Sequence, residues 1–142
     1  EARFQWRRAL SFEPDAELEE ALRRKIDNGA HFAMAQVFFE WEPCLRLLDH
    51  FGGELPIPAL VAVWPLRSLK MALRLHHEVP GISVPRHMLD EMEAAVPDAA
   101  KIGRERAIGL FREAADYAAG VYLIAPFKKP EDVIPLIDEA MG

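Results

Sequence analysis

Cysteine is nearly absent from this sequence, since Cys44 is the single one among 142 residues. One cysteine cannot form a disulfide within the chain, and without a CxxC pair the chain lacks the usual means of holding zinc or exchanging disulfides. Long apolar runs are missing too, since none approaches the roughly 20 residues that a membrane-spanning helix needs. These absences predict a cytoplasmic protein of a reducing compartment, with no membrane partner.

Basic charge is also in short supply. Lys and Arg number 17 against 23 Asp and Glu, which gives a net charge of −6. Nucleic acids and anionic membranes attract basic surfaces, so we do not expect nucleic acid as a partner. What the chain does contain is 51% hydrophobic and 28% charged residues, the makeup of an ordinary globular protein with a core. We therefore treat residues 1–142 as a single domain.

Apolar segments alternate with helical ones along the chain. Four segments have strand character: 3–12, 30–39, 58–64 and 120–127. The segment 58–64, "PALVAVW", is apolar at every position, which favours a strand covered on both faces of a parallel sheet. Alternation of strands and helices predicts βαβ units and hence an α/β fold. Four such units make either half of an eight-stranded β/α barrel or an open four-stranded sheet.

Helix signals fill the intervals between these strands. Asp15 can cap a first helix that Gly29 ends, and helices are expected over 42–51, over 67–78, from Arg86 to about Ala119, and from about Pro130. The last of these contains Pro135, which should bend or shorten it.

Polar residues occur where the predicted strands end. In both architectures ligands collect at the carboxyl ends of the strands, where loops converge. Gln36 and the segments "WPLRSLK" and "APFKK" fall at such ends. Gln36 is a lone amide in an apolar run, and it can either bind a ligand or cap exposed backbone at the strand end. Arg67 could meet a carboxylate or phosphate, or it could simply be solvated.

Histidines cluster in one helix without the spacing of a metal site. His76 and His77 are followed by Glu78, with His87 nearby. Adjacent residues on a helix point in different directions, and no HExxH spacing is present. We therefore predict no bound metal. Trp64, at the end of the third predicted strand, is expected to be a core residue.

Three segments together resemble the carboxyl-terminal half of methylenetetrahydrofolate reductase, of the bacterial type that can be fused to a homocysteine methyltransferase. They occur in the family's order and spacing: "KIDNGAHFAMAQVFFE", "IPALVAVWPLRSLKMALRLHHEVPGISVP" and "GVYLIAPF". The resemblance covers roughly residues 12–127. It implies a (β/α)8 barrel of which this chain supplies about four βα units, a half barrel. It also implies FAD as cofactor, NAD(P)H as hydride donor, and reduction of methylenetetrahydrofolate to methyltetrahydrofolate, a step in one-carbon metabolism and methionine biosynthesis.

The resemblance also implies roles for individual residues. Gln36 occupies the place of a glutamine that hydrogen-bonds the folate pterin beside the flavin, although the family's preceding threonine is Ala35 here. Leu69 falls where a large apolar or aromatic residue covers the folate or nicotinamide ring. Lys25 aligns with a basic residue that reaches the FAD phosphates, while a lysine at this helix end would also offset the helix dipole.

No residue of this chain is identified as catalytic. Opening the imidazolidine ring of the folate requires a general acid, which in the family is a glutamate near the barrel start without a counterpart here. We therefore expect the chain alone to be nearly inactive, and its open strand edges to pair with a missing half barrel or a second copy. The alternative is a non-enzymatic α/β binding or assembly module that has lost the flavin, which Ala35 and Leu69 favour.

Overall fold

The structure of the chain is a computed structural model that describes residues 16–142, with side chains from Glu19 onward. The helices and strands follow one another in this order: α1 (Ala16–Asp27), β1 (Ala33–Met34), α2 (Glu42–His50), β2 (Ala59–Val63), α3 (Leu69–Glu78), α4 (Arg86–Ala94), α5 (Ala99–Tyr117), β3 (Gly120–Leu123), two short 3-10 turns (Pro126–Lys128 and Pro130–Asp132) and α6 (Ile134–Met141). The predicted strand over 3–12 and the Asp15 cap lie outside the described residues.

The three strands form one parallel sheet in the order β1-β2-β3. Ala33 of β1 pairs with Ala59 of β2, and Ala62 of β2 pairs with Tyr122 of β3. Parallel neighbours require crossover connections, which contain α2 in the first case and α3 to α5 in the second. The prediction of an α/β fold with a parallel sheet is confirmed. A half barrel of four βα units stays a prediction.

Strand β1 is much shorter than the predicted strand over 30–39. Two N–H groups, one in β1 and one directly after it, donate toward β2 at 2.8 Å each: that of Ala33 to the carbonyl of Pro58, and that of Ala35 to the carbonyl of Leu60. In a continued ladder Val37 would be the next donor to β2. Instead, the N–H of Val37 donates to Oε1 of Gln36 at 3.1 Å. A side chain thus competes with the ladder for this donor and ends the strand.

One face of the sheet, here called the covered face, is packed by helices. It carries Val61 and Val63 of β2 and Val121 and Leu123 of β3. Residues of α2, α5 and α6 pack against it in a single apolar cluster. Val61 and Val63 are consequently only 4% and 1% exposed. This face supplies one of the two hydrophobic cores of the described chain.

The opposite face, here called the open face, is only partly covered. Ala62 and Tyr122 belong to it, because successive residues of a strand face opposite sides, and they pack into a second cluster formed largely by α3 and α4. Toward β1 the cover ends. Phe32 and Met34 are 58% and 60% exposed. Large apolar side chains are therefore left in solvent at this side of the sheet.

Proline and serine set several helix boundaries, and the last helix begins at Ile134 rather than near Pro130 as expected, because residues 130–132 form a 3-10 turn. The hydroxyl of Ser68 caps α3 by accepting the N–H of Met71 at 3.1 Å. The segment from Arg86 divides into α4 and α5, which are separated around Pro97, since proline cannot continue a helical hydrogen-bond ladder. Pro135 lies in the first turn of α6, the position where a helix tolerates it. Within residues 16–142 no helix is both long and apolar enough to span a membrane.

Helix α5 passes very close to the loop that follows β2. A Cβ atom added to Gly103 would overlap the carbonyl oxygen of Leu66 and lie 2.8 Å from its carbonyl carbon. Leu66 itself is 1% exposed and belongs to the cluster on the open face. Only glycine fits this approach, so Gly103 allows the loop to pack against the helix.

Candidate functional site

Gln36 lies just past the carboxyl end of β1, and its side chain is exposed. Its Oε1 accepts the N–H of Val37, so the acceptor of the amide is already used within the chain. No residue between 16 and 142 hydrogen-bonds its Nε2. The amide therefore caps the strand end with its oxygen and keeps two N–H donors for a ligand.

Tyr122 links β3 to the same strand end. Its hydroxyl donates to the carbonyl oxygen of Ala35 at 3.1 Å. The ring must cross β2 to do so, and Ala62, the partner of Tyr122 on that strand, has only a methyl group. Sequence reasoning missed Tyr122, because a contact between residues 87 positions apart leaves no local signal.

The side chain of Ala35 belongs to the covered face. Ala35 is half-buried and packs against the cluster that contains Phe38 and Trp41. A threonine hydroxyl at this position would therefore lie on the helix-packed side, opposite to Gln36. The exchange of the family's threonine for Ala35 thus takes no group away from the face on which Gln36 lies.

Trp64 and Leu69 follow β2 and are both half-buried against the cluster under α3 and α4. Trp64 is thus part of a core, as predicted, and its indole N–H is buried without a partner in the described chain. Leu69 is the first residue of α3 and keeps part of its side chain accessible. Its contact with a folate or nicotinamide ring stays a prediction.

Arg67 is engaged within the chain. Its guanidinium forms an ion pair with the carboxylate of Asp132, in the second 3-10 turn after β3. The two side chains are 44% and 29% exposed. This pair connects the loop after β2 to the segment after β3. A substrate carboxylate or phosphate would have to compete with Asp132 for Arg67.

The segment after β3 carries two residues in the left-handed region of the backbone. Phe127 has φ 54° and Lys128 has φ 59°, a conformation that costs a residue with a side chain about 1–3 kcal/mol. Phe127 is 71% exposed, and Lys128 and Lys129 are exposed beside it. An apolar ring and two cations thus follow the carboxyl end of β3.

Lys25 lies apart from these residues. It belongs to the last turn of α1 and is exposed, without an ion pair to any residue from 16 to 142. It precedes β1 in the chain, whereas Gln36 follows it, so the strand separates the two. The carboxyl edge of the sheet therefore holds Gln36, Arg67 and Leu69, while Lys25 stays outside it.

The cysteine and one histidine have structural roles. Burial raises the pKa of the Cys44 thiol to about 12, so Cys44 stays protonated at neutral pH. Nδ1 of His76 accepts the N–H of Val84 at 3.1 Å and so connects α3 to the start of α4. In the described part of the chain no three His, Cys, Asp or Glu residues are grouped so that they could hold a metal ion.

Comparison with known proteins identifies a family. Residues 10–124, well over half of the chain, match the family model "Methylenetetrahydrofolate reductase". The "Probable methylenetetrahydrofolate reductase (NADPH)" of Caenorhabditis elegans is 31% identical over 102 residues, which are 67% of this chain and 15% of the relative. "Methylenetetrahydrofolate reductase 2" of Schizosaccharomyces pombe is 28% identical over 107 residues, 70% of this chain and 16% of the relative. The chain thus spans less than a fifth of these curated relatives.

A solved structure shares the fold. It is described as an uncharacterized protein from Clostridium thermocellum that binds two copies of 5-methyl-5,6,7,8-tetrahydrofolic acid. The TM-score is 0.64 at 18% sequence identity, and the match covers 85% of this chain and 47% of the other. At this identity the likeness concerns the fold alone. The chain spans about half of that larger structure.

Proposed function

The chain belongs to the methylenetetrahydrofolate reductase family, and we propose that it forms part of a flavin-dependent enzyme that reduces methylenetetrahydrofolate to methyltetrahydrofolate. The observation that carries this proposal is the position of Gln36, an exposed amide at the carboxyl edge of a parallel sheet. Ligands of α/β folds bind at this edge. FAD would supply the hydride-transfer chemistry when bound, with NAD(P)H as the hydride donor.

In this proposal Gln36 binds the pterin through its nitrogen. Its oxygen is held by Val37, so Nε2 offers two N–H donors to acceptor atoms of the ring. An uncharged amide binds the heterocycle without adding a charge near the flavin. Leu69, at the start of α3, covers a ring of the folate or nicotinamide with its accessible part. Arg67 binds an anionic group of the substrate by exchanging Asp132 for it.

The residues present fit only part of a dinucleotide site. Lys25 is exposed and has no ion pair within residues 16–142, so it is available to a phosphate as a mobile point charge. It lies on the amino side of β1, and only an extended ligand could reach both Lys25 and the edge with Gln36. We assign the other FAD contacts, and the general acid, to polypeptide outside this chain.

Exposed apolar side chains on the open face support the proposal that the chain is only part of a larger fold. The side chains of Phe32 and Met34 are more than half exposed, which is unfavourable for large apolar residues unless another surface covers them. The chain also spans only 47% of the solved structure that shares its fold. We propose that the rest of a barrel, or a second copy of the chain, covers this face. The 142-residue chain alone should then show little or no reductase activity.

The visible spectrum of the full-length polypeptide tests the reductase proposal. Bound flavin should colour the purified protein, and anaerobic NADH or NADPH should bleach it. Methylenetetrahydrofolate should then restore the colour and yield methyltetrahydrofolate. The 142-residue chain serves as the control, with turnover expected to be absent or very low. A full-length protein that is colourless and takes up no added FAD would contradict the proposal.

A second candidate is a non-enzymatic α/β binding or assembly module that has lost the flavin. The residues present fit only part of a dinucleotide site, because Lys25 lies away from the edge that holds Gln36. This partial fit favours the binding or assembly module. The two candidates differ in one outcome: a colourless full-length protein that still binds 5-methyltetrahydrofolate in calorimetry supports the module.

A further inference from the structure

On either side of Gln36, side-chain hydrogen bonds replace the backbone hydrogen bonds that would continue the ladder between β1 and β2. Oε1 of Gln36 accepts the N–H of Val37, and the hydroxyl of Tyr122 donates to the carbonyl of Ala35, both at 3.1 Å. If the parallel pairing continued in the same register, both of these backbone groups would face Ala62. The strand end is therefore shaped by side chains from two distant parts of the sequence.

Tyr122 is well placed to hold this strand end. Its own strand is fixed by pairing with β2 along its whole length, from Gly120 to Leu123. Its ring is partly buried against the cluster that includes Val37 and Phe39, the residues that leave the sheet after Gln36. Ala62 beneath it is fully buried. The ring is therefore held against packed neighbours, and from there its hydroxyl reaches the carbonyl of Ala35.

We propose that Tyr122 is a positioning residue for Gln36. Its hydrogen bond holds the peptide group that directly precedes Gln36. It thereby sets the backbone position from which the side chain of Gln36 extends at the edge of the sheet. Without the hydroxyl, the carbonyl of Ala35 is free to pair with Ala62, which would draw the segment toward β2 and move Gln36. This proposal about Tyr122 rests on the proposed function in one respect, namely that Gln36 binds the folate.

The first test compares two tyrosines in the full-length protein. Tyr122→Phe removes the hydroxyl and keeps the ring. Tyr117→Phe is the matched control, because Tyr117 is 56% exposed and its hydroxyl bonds no residue from 16 to 142. For Tyr122→Phe we expect about fivefold weaker binding of 5-methyltetrahydrofolate in calorimetry, as for the loss of one neutral hydrogen bond. Tyr117→Phe should bind like the parent protein.

The second test asks whether Tyr122 acts through Gln36. In a Gln36→Ala background the effect of Tyr122→Phe on folate affinity should disappear, because the amide to be positioned is gone. A merely structural tyrosine would weaken binding by the same factor in both backgrounds, and that result would overturn the proposal. So would parent-like affinity of Tyr122→Phe in the presence of Gln36.

Hydrogen exchange provides a readout that needs no ligand. In Tyr122→Phe the amide of Val37 should exchange more slowly than in the parent protein, because the segment drawn toward β2 lets it donate to the ladder at Ala62, while amides in the centre of α5 should not change. If the parent protein binds no folate, the proposed function fails and this exchange measurement alone decides about Tyr122. Unchanged exchange at Val37 would then overturn the proposal.

Discussion

The two faces of the sheet are built from the same strands, yet they differ in what covers them. On the covered face Val61 and Val63 are nearly inaccessible beneath helices. On the open face Phe32 and Met34 remain in solvent, next to the strand end that carries Gln36. The difference teaches that the β1 end of the open face adds little to the stability of the described chain, and under the proposal this end serves binding instead. Substitutions on the two faces should therefore affect different measurements.

The largest effect is expected from Gly103→Ala, which breaks the packing of both faces at once. Helix α5 contributes Ala99 to the cluster on the open face and Ala107 to the cluster on the covered face. A methyl group at Gly103 would overlap the backbone of Leu66 and force the helix and the loop apart. We expect a loss of about 3 kcal/mol in the free energy of unfolding, measured by urea denaturation.

The same helix offers a control for this prediction. Gly109 is exposed, and nothing lies within 4 Å of a Cβ placed there. Gly109→Ala should leave stability unchanged or raise it by up to about 1 kcal/mol, since alanine favours the helix more than glycine does. Equal losses for the two substitutions would show that the close approach to Leu66 is not the cause.

A paired substitution compares the faces directly. Val63→Ala should cost about 2 kcal/mol, because it removes two buried methyl groups and leaves a cavity. Met34→Ala should change the stability of the 142-residue chain by less than about 0.5 kcal/mol, because Met34 is mostly exposed. Urea denaturation measures both. Comparable costs of Val63→Ala and Met34→Ala in the 142-residue chain would contradict this difference between the faces. In the full-length protein, a clearly larger cost of Met34→Ala than in the 142-residue chain would show that further polypeptide covers the open face.

A smaller, pH-dependent effect is expected between α4 and α5. Glu91 forms an ion pair with Arg106, with Nε and Oε2 3.0 Å apart. This hydrogen bond to Arg106 holds the pKa of Glu91 below its usual value of about 4.3. A carboxyl whose pKa is lowered by folding stabilises the folded state above that usual value, and the contribution is lost as the pH falls through the lowered pKa.

Thermal unfolding of Glu91→Gln measures this contribution. The variant should melt slightly below the parent protein at pH 7, and the difference should shrink as the pH falls below about 4. Glu93→Gln is the control, since Glu93 lies on the same helix, is exposed and has no ion pair within residues 16–142. A difference that is independent of pH would contradict the assignment to the ion pair.

Local patterns predicted the strands that are buried on the covered face. Strand β2 lies within the apolar run 58–64, and β3 begins at Gly120 as predicted. The prediction for 30–39 was wrong in extent because hydrophobicity does not show that Gln36 takes the N–H of Val37. Patterns report which residues are buried. They do not report which hydrogen bonds a side chain withdraws from a ladder.

The candidate site was predictable only in its location. The sequence placed Gln36 near the carboxyl end of a predicted strand, although that strand was expected to continue to residue 39. It could not show that Arg67 pairs with Asp132, 65 residues further on, or that Tyr122 bonds the carbonyl of Ala35. Such contacts depend on how the chain crosses over, which a single sequence does not specify. The roles of Gln36, Leu69 and Lys25 toward ligands stay predictions.

The affinity of the full-length protein for 5-methyltetrahydrofolate, measured by calorimetry for Gln36→Ala, tests most directly whether this amide meets the folate. We predict about tenfold weaker binding, as expected for the loss of the N–H donors. The melting temperature should fall slightly, because the N–H of Val37 loses its acceptor. Glu54→Gln, an exposed substitution before the amino end of β2, should bind like the parent protein. Parent-like affinity of Gln36→Ala would contradict the account.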